Sequence, residues 1–436
     1  MWDDLSENSF GDTDGRFQSP DGVAVLWKGA PVPQDGHTLD IGPRLVDLYR
    51  RHGVRFADRL CGSFALVLRD PAHDLAALIR DPAGTIPLYY ATGPKGRLLF
   101  ATQIRRLLPS LGPPALNPAK LLDFLAFFWS VNEETFFKGV QVVPQGAACV
   151  NGQIERYFNF GHCPAADDGT DPAQMTIAVL RDVLRRVPSE ATACHLSGGV
   201  DSSLLTALAA EVFGPPLPAF VAAFSGYPEY NEAPYARAAA DSVGATLVEV
   251  GVYPEDFSKF FSEVIRVIEE PKCHPPVFPR FVLEAEAAHR GVRTMISGRG
   301  ADELFTGYDW HRPDQLADHR RRRTVVSPEE RSRLLRVESL DALRYSPEEA
   351  YDVVFARCNG PTLLDRVLAM DWHTLMANWL ILDFKISSYF NIQPYAPFVD
   401  RTMIDLALSI PAEKKAAGGE PKALLKRVSK SMYGTP

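Results

Sequence analysis

The run Ala193-Cys194-His195-Leu196-Ser197-Gly198-Gly199-Val200-Asp201-Ser202-Ser203 restricts what this chain can become more than any other stretch. Small and apolar residues lead into a glycine pair, and Leu204 to Val212, rich in good helix formers, follows at once. A strand, a glycine turn and a helix are implied in that order. Gly198 and Gly199 let the backbone bend where a side chain would forbid it, and let it approach a ligand closely. Such a turn aims free N–H groups and the positive end of the helix dipole at an anion such as phosphate. Asp201, inside the turn, is a hard oxygen ligand suited to Mg²⁺ between phosphates. The plainer alternative is a turn in which Ser202 or Ser203 merely caps the helix.

A second segment repeats the design. Thr294-Met295-Ile296-Ser297-Gly298-Arg299-Gly300-Ala301-Asp302-Glu303-Leu304-Phe305-Thr306-Gly307-Tyr308 again reads as strand, glycine turn and carboxylate. Asp201 and Asp302 together are suited to hold Mg²⁺ against a pyrophosphate. The alternative for Asp302 and Glu303 is simple helix capping. Around these turns, Met175 to Arg186 has a helical face, Leu217 to Phe224 is an apolar run suited to a buried parallel strand, Glu229 to Arg237 begins a helix, and Thr246 to Val250 forms a strand. Strands alternating with helices predict an α/β, doubly wound parallel sheet, whose ligands bind beyond the carboxyl ends of the strands.

The amino-terminal part is patterned differently. Gly22–Trp27, Gly62–Asp70, Leu75–Arg80, Leu88–Ala91 and Leu98–Ala101 read as short strands punctuated by Gly, Pro and Asp, with helices near 43–52 and 116–128. Gly161 to Pro172, dense in Pro, Gly and Asp, reads as a linker, so the expected organisation is a domain over 1–160, a linker over 161–172 and a domain over 173–436. With 46% apolar and 23% charged residues the composition is that of a soluble globular protein. A net charge of -8 gives no overall attraction to nucleic acid or to an anionic membrane, and Arg320-Arg321-Arg322-Arg323 reads as a solvated face or mobile loop rather than a nucleic-acid site. The six cysteines lack CxxC spacing, and no signal peptide or membrane-length run is visible, so a cytoplasmic setting is expected.

Residues 197–202 resemble the SGGxDS loop of the ATP pyrophosphatases, and 297–308 resemble the SGxGxDELFxGY segment of asparagine synthetases and their lactam-forming relatives. Further upstream, Cys61–Asp70, Arg80–Tyr90 and Leu99–Leu108 look like the glutaminase domain of the same family, an αββα fold of the N-terminal-nucleophile hydrolases, closed by Arg156-Tyr157-Phe158. The resemblance implies ATP and Mg²⁺ as cofactors. It implies ATP contacts from Leu196, Ser197, Gly198, Gly199, Asp201, Ser202, Ser203, Phe224, Ser297 and Gly298, with Leu196 and Phe224 near the adenine and with Asp201 and Asp302 on the metal. Pro394–Arg401 resembles the family's RVPFLD block, and Lys422 matches the lysine of its last helix, which reaches the phosphates.

Departures from that pattern point away from asparagine. Trp2 stands where the family's glutaminase cysteine follows the initiator methionine, and the first strands of that domain look largely missing, which implies a degenerate scaffold domain. Arg299 replaces the Glu of asparagine synthetases and the Tyr of β-lactam synthetases, and arginine cannot act as a general base, which leaves His274, Asp383 and Glu270 as unranked candidates. Gln393-Pro394-Tyr395 and Phe384-Lys385 also break the pattern. The expected activity is an AMP-forming carbon–nitrogen ligase, lactam- or macrolactam-forming, with Lys422 and Arg299 as its catalytic residues. Its substrate would be a small-molecule or peptide carboxylate, a peptide being delivered by processing partners. Asparagine synthetase-type amidation with ammonia or nitrogen from another subunit is one alternative. A non-catalytic nucleotide- or partner-binding relative is the other.

Overall fold

Short strands joined by tight turns pair with their neighbours in sequence, and the amino-terminal half is built that way. Gly15–Gln18, Ala24–Gly29, Phe64–Asp70, Leu75–Arg80, Ala147–Val150 and Gln153–Arg156 form a six-stranded sheet in chain order, antiparallel throughout. Leu98–Ala101, Tyr89–Thr92 and Val140–Val142 make a separate three-stranded antiparallel sheet. Helices Ile41–His52 and Pro118–Phe127 accompany them, near where the apolar spacing predicts. The Arg80-Asp81 pair explains the turn that follows it. The buried Arg80 guanidinium donates to the carbonyls of Ile86 (2.8 Å), Val143 (2.5 Å) and Gly84, while Asp81 accepts from the backbone of Phe64 (3.2 Å) and Ala83 (3.0 Å).

The computed structural model describes residues 13–36, 40–161, 163, 169–224, 226–271, 276–335 and 344–433. Two units emerge: Met1–Phe160 with Arg320–Asn359 and Met370–Ile381, and Gly161–His319 with Gly360–Ala369 and Leu382–Pro436. The arginine run corrects its sequence reading in part. Arg320, Arg321 and Arg322 are exposed, but Arg323 is buried, paired with Asp371 and the Tyr351 hydroxyl. Cys61, Cys149, Cys194 and Cys358 are buried, Cys163 is exposed, and Cys273 lies outside the described residues. Among the described residues no helix is long and apolar enough to cross a membrane.

The second unit holds the α/β sheet. Its strands are β1 (Thr192–His195), β2 (Pro218–Ala223), β3 (Thr246–Gly251), β4 (Thr294–Ile296) and β5 (Gln393–Tyr395), all parallel, in the order β3-β2-β1-β4-β5. Alternation along β2 explains why both faces are covered. Phe220 packs with Leu283 and Ala287 of the helix Val277–His289, whereas Ala219 and Val221 meet Ala233, Ala236 and Ala240 of the helix Ala233–Val243. Strand order reverses between β1 and β4, the place where sheets of this kind bind ligands.

Local chemistry moves several boundaries. The first helix of this unit starts at Pro172, because Asp171 accepts from the Ala173 amide and proline suits the first helical position. The helix expected from Glu229 begins at Ala233. A 3₁₀ turn at Pro228–Tyr230 intervenes, and Asn231 Oδ1 accepts from the amides of Phe224 and Ala233, both at 3.3 Å. Sequence patterning did not anticipate β5, whose three residues include Pro394.

Candidate functional site

The first turn leaves the end of β1, and the helix Val200–Phe213 begins directly after it, with Gly199 in extended conformation at its N-cap. Gly198 has φ +82°, and a Cβ there would come within 2.5 Å of Tyr235. Only glycine fits such a position. Ser202 does not play the capping role of the plainer reading. Its Oγ lies 3.0 Å from Ser197 Oγ, accepts from the Ser197 amide at 3.2 Å and donates to the Gly199 carbonyl at 3.2 Å, and no side chain among the described residues caps the helix. The two hydroxyls thus brace the turn.

The second turn leaves β4, the neighbour of β1. A Cβ on Gly298 would stand 3.1 Å from Asp201 Cβ and 3.4 Å from the Ser202 amide, so the two turns pack directly together. Gly300, with φ +96°, caps the short helix Ala301–Phe305 and lies against Val399, which brings the Pro397–Val399 segment to the same corner. Ser297 is anchored through its amide to the Tyr395 carbonyl at 2.9 Å. Leu196 is buried and its amide donates to the Phe220 carbonyl at 2.9 Å, and Phe224 is half-buried one residue beyond β2. The buried Ser203 belongs to the first helical turn, its amide bonded to the Gly199 carbonyl at 3.0 Å.

Lys422 closes the arrangement. Its Nζ stands 2.5 Å from Asp201 Oδ2 and 2.6 Å from Asp302 Oδ1, bridging two carboxylates that lie about a hundred residues apart in sequence. Burial opposes the ammonium, but the two carboxylates outweigh it and raise the Lys422 pKa, so the side chain stays charged. Burial also pushes the Asp201 carboxyl upward and Asp302 adds to this, while Lys422 draws it down; the net direction is up. Asp201 Oδ1 is buried without a hydrogen-bond partner among the described residues.

Beside this cluster runs a chain of alternating charges that sequence reading missed. Arg299 Nε donates to Asp383 Oδ2 at 2.9 Å, and Asp383 Oδ1 also meets Arg280 at 3.4 Å. Arg280 Nε in turn donates to Glu284 Oε1 at 2.8 Å, and His195 Nε2 lies 3.4 Å from that same oxygen. Burial alone would raise Asp383, yet the guanidinium charges of Arg280 and Arg299 outweigh it and hold the carboxyl below its usual range. Burial, aided by Arg280, lowers the His195 imidazole, which stays neutral. Glu303 differs: burial next to Asp302 pushes its carboxyl up to about 8, and Oε1 accepts from the Tyr308 hydroxyl at 2.6 Å. Of the three candidate bases, Asp383 is thus a clamp on two arginines, Glu270 is half-buried past the helix Pro254–Ile268, and His274 lies outside the described residues. Arg280 and Glu284 gave no sequence signal beyond the i,i+4 pairing common on any helix.

Residues 178–433, more than half of the chain, match the asparagine synthase family. The chain belongs to the asparagine synthase family. Residues 43–157 match a glutamine amidotransferase domain, so both expected kinds of domain are present, the second containing the parallel sheet. Among relatives, the glutamine-hydrolysing asparagine synthetase 1 of Bacillus subtilis (strain 168) is 24% identical over 433 residues, covering 89% of this chain and 68% of the relative. The amidase chyE of Penicillium rubens is 29% identical over 299 residues, with 63% of this chain and 44% of the relative covered. The glutamine-hydrolysing asparagine synthetase B of Escherichia coli (strain K12) is 25% identical over 283 residues, with 61% and 46% covered. The chain thus spans less than half the length of the last two.

Proposed function

We propose that this family member is an ATP-dependent, AMP-forming carbon–nitrogen ligase that closes a lactam or macrolactam. A substrate carboxylate oxygen attacks the α-phosphorus of ATP, and the bond to the departing pyrophosphate breaks. An amine of the same substrate then attacks the acyl carbon, gives up a proton and expels AMP. Activation is needed because a carboxylate resists amines and a mixed anhydride does not.

The observation that carries the ATP-dependent reading is the bridge of Lys422 between Asp201 and Asp302 at two glycine turns in contact. In this reading the turn residues 197–203 and Ser297-Gly298 cradle the phosphates, while Leu196 and Phe224 flank the adenine. Lys422 offsets the charge that grows on the leaving pyrophosphate. Two carboxylates sharing one cation suit a divalent ion. Among the described residues no set of three or more His, Cys, Asp or Glu side chains gathers at one point, so further ligands would come from phosphate and water, as Mg²⁺ prefers. Asp201 and Asp302 would hold that Mg²⁺, whose charge would neutralise the phosphate oxygens. The lactam assignment rests on Arg299, a cation fixed by Asp383 where an asparagine synthetase carries Glu.

Ammonia-dependent asparagine formation is the second reading, favoured by the names of relatives that reach over most of this chain. Pyrophosphate release from ATP, assayed with compounds carrying both a carboxylate and an amine and separately with aspartate plus ammonium, tests both. The expected result is release with a bifunctional compound and a product lighter by one water. Asparagine formed from aspartate at a comparable rate favours the second reading. ATP binding without release for any acid would leave a nucleotide-binding protein that catalyses nothing.

A further inference from the structure

Lys422 sits where it does because of a missing side chain. A Cβ on Gly307 would lie 1.7 Å from Asp302 Oδ1 and 2.4 Å from Lys422 Cε, so glycine alone leaves room for the lysine stem beside the carboxylate. The Gly307 amide also donates to the Asp302 carbonyl at 2.8 Å, which ties the glycine to the helix that carries the acid. Lys422 itself has φ +57°, an uncommon conformation for a long side chain, immediately before the helix Ala423–Tyr433. Its side chain is only 18% exposed, and that of Asp201 only 14%.

The ammonium therefore stands where a divalent ion would bind the two carboxylates. An ion arriving alone has to push a charged, mostly buried lysine away from Asp201 and Asp302, its carboxylate partners among the described residues. A nucleotide changes the balance, because its phosphates give Lys422 new anionic partners as the carboxylates pass to the ion. From this we infer that Lys422 is an internal place-holder, packed against Gly307, that keeps bare divalent ions out, so that metal enters only together with nucleotide. The inference rests on the proposed metal role of Asp201 and Asp302, and it makes Gly307 a positioning residue.

Mn²⁺ binding, followed by the electron paramagnetic resonance of the free and bound ion, tests this on the full chain with and without α,β-methylene-ATP. The wild type is expected to take up bare Mn²⁺ weakly and to bind it firmly once nucleotide is present. Lys422→Met should bind bare Mn²⁺ roughly tenfold or more tightly than the wild type, because the competing cation is gone. Lys422→Arg, which restores a cation, should return to weak uptake, an outcome that a purely structural lysine would not produce. Thermal melting checks that each variant folds; the wild-type comparison with and without nucleotide needs no variant. Equal and tight bare-ion binding in the wild type and Lys422→Met, abolished by Asp201→Asn, overturns the place-holder and leaves the proposed metal site standing. No Mn²⁺ bound by any form, with nucleotide or without, overturns both.

Discussion

Asp201 and Asp302 are half-buried acids whose shared partner among the described residues is Lys422, and that makes them informative to neutralise. Asparagine at either position keeps size and hydrogen bonding but removes the charge that a metal or Lys422 would feel. Pyrophosphate release should fall on the order of a hundredfold or more in Asp201→Asn and in Asp302→Asn, with thermal melting little changed. Wild-type rates in both variants would remove these residues from the chemistry. At this scale much was legible beforehand, since Gly198, Ser202, Gly298 and Asp302 lie in short runs whose glycines and acids have few other uses. The Arg299–Asp383–Arg280–Glu284 chain was not legible. Arg299 and Asp383 stand out singly, but nothing in the sequence pairs them, and Arg280 and Glu284 look like an ordinary helix pair.

Elements carry their own chemistry, and the π-helical turn Trp372–Met376 shows it. In this turn of the first unit, Trp372 stacks on Phe160 with ring centroids 4.6 Å apart, and the Gln145 amide donates to His373 Nδ1 at 3.0 Å, which requires a bare nitrogen. Burial, with the charge of Arg156 adding to it, lowers the His373 pKa from 6.5 to about 4. An unfolded chain therefore takes up this proton at higher pH than the folded one. Stability contributed by neutral His373 is complete above pH 6.5 and is lost as pH falls toward 4, by roughly 3 kcal/mol. Urea unfolding at pH 7 and pH 4.5 should show that acid loss in the wild type and less of it in His373→Gln. Equal losses would mean that the imidazole titrates normally. Period and punctuation revealed the helix read over 43–52, which runs Ile41–His52, and strands β1 to β4, whereas the helices Pro254–Ile268, Val277–His289, Pro347–Ala356 and Ala377–Tyr389 were not read. A π turn and a three-residue strand containing Pro394 carry no such periodicity, so both escaped.

For the molecule as a whole, the two units divide the work unequally. Every residue assigned to the nucleotide, from Leu196 to Lys422, lies in the second unit. Hydrogen exchange with and without ATP·Mg²⁺ should therefore show added protection at 196–203, 297–303 and 422–426, with the six-stranded sheet of the first unit unchanged. Protection confined to that sheet would place the nucleotide elsewhere. The α/β class was readable from alternating strands and helices. The membership of 320–359 and 370–381 in the first unit was not, since only tertiary packing decides which core a helix joins.

The direct pairing of β1 with β4, and the reach of Lys422 back to both turns, also bears on how the protein is made. A ribosome delivers the two loops far apart in time, and the lysine later still. On the proposed reading a triphosphate is held by both loops together, so a growing chain that has made only the first lacks the full site to recruit ATP. Until the last helix emerges, the sheet must rely on its own apolar faces, and Asp201 has to wait for its countercharge.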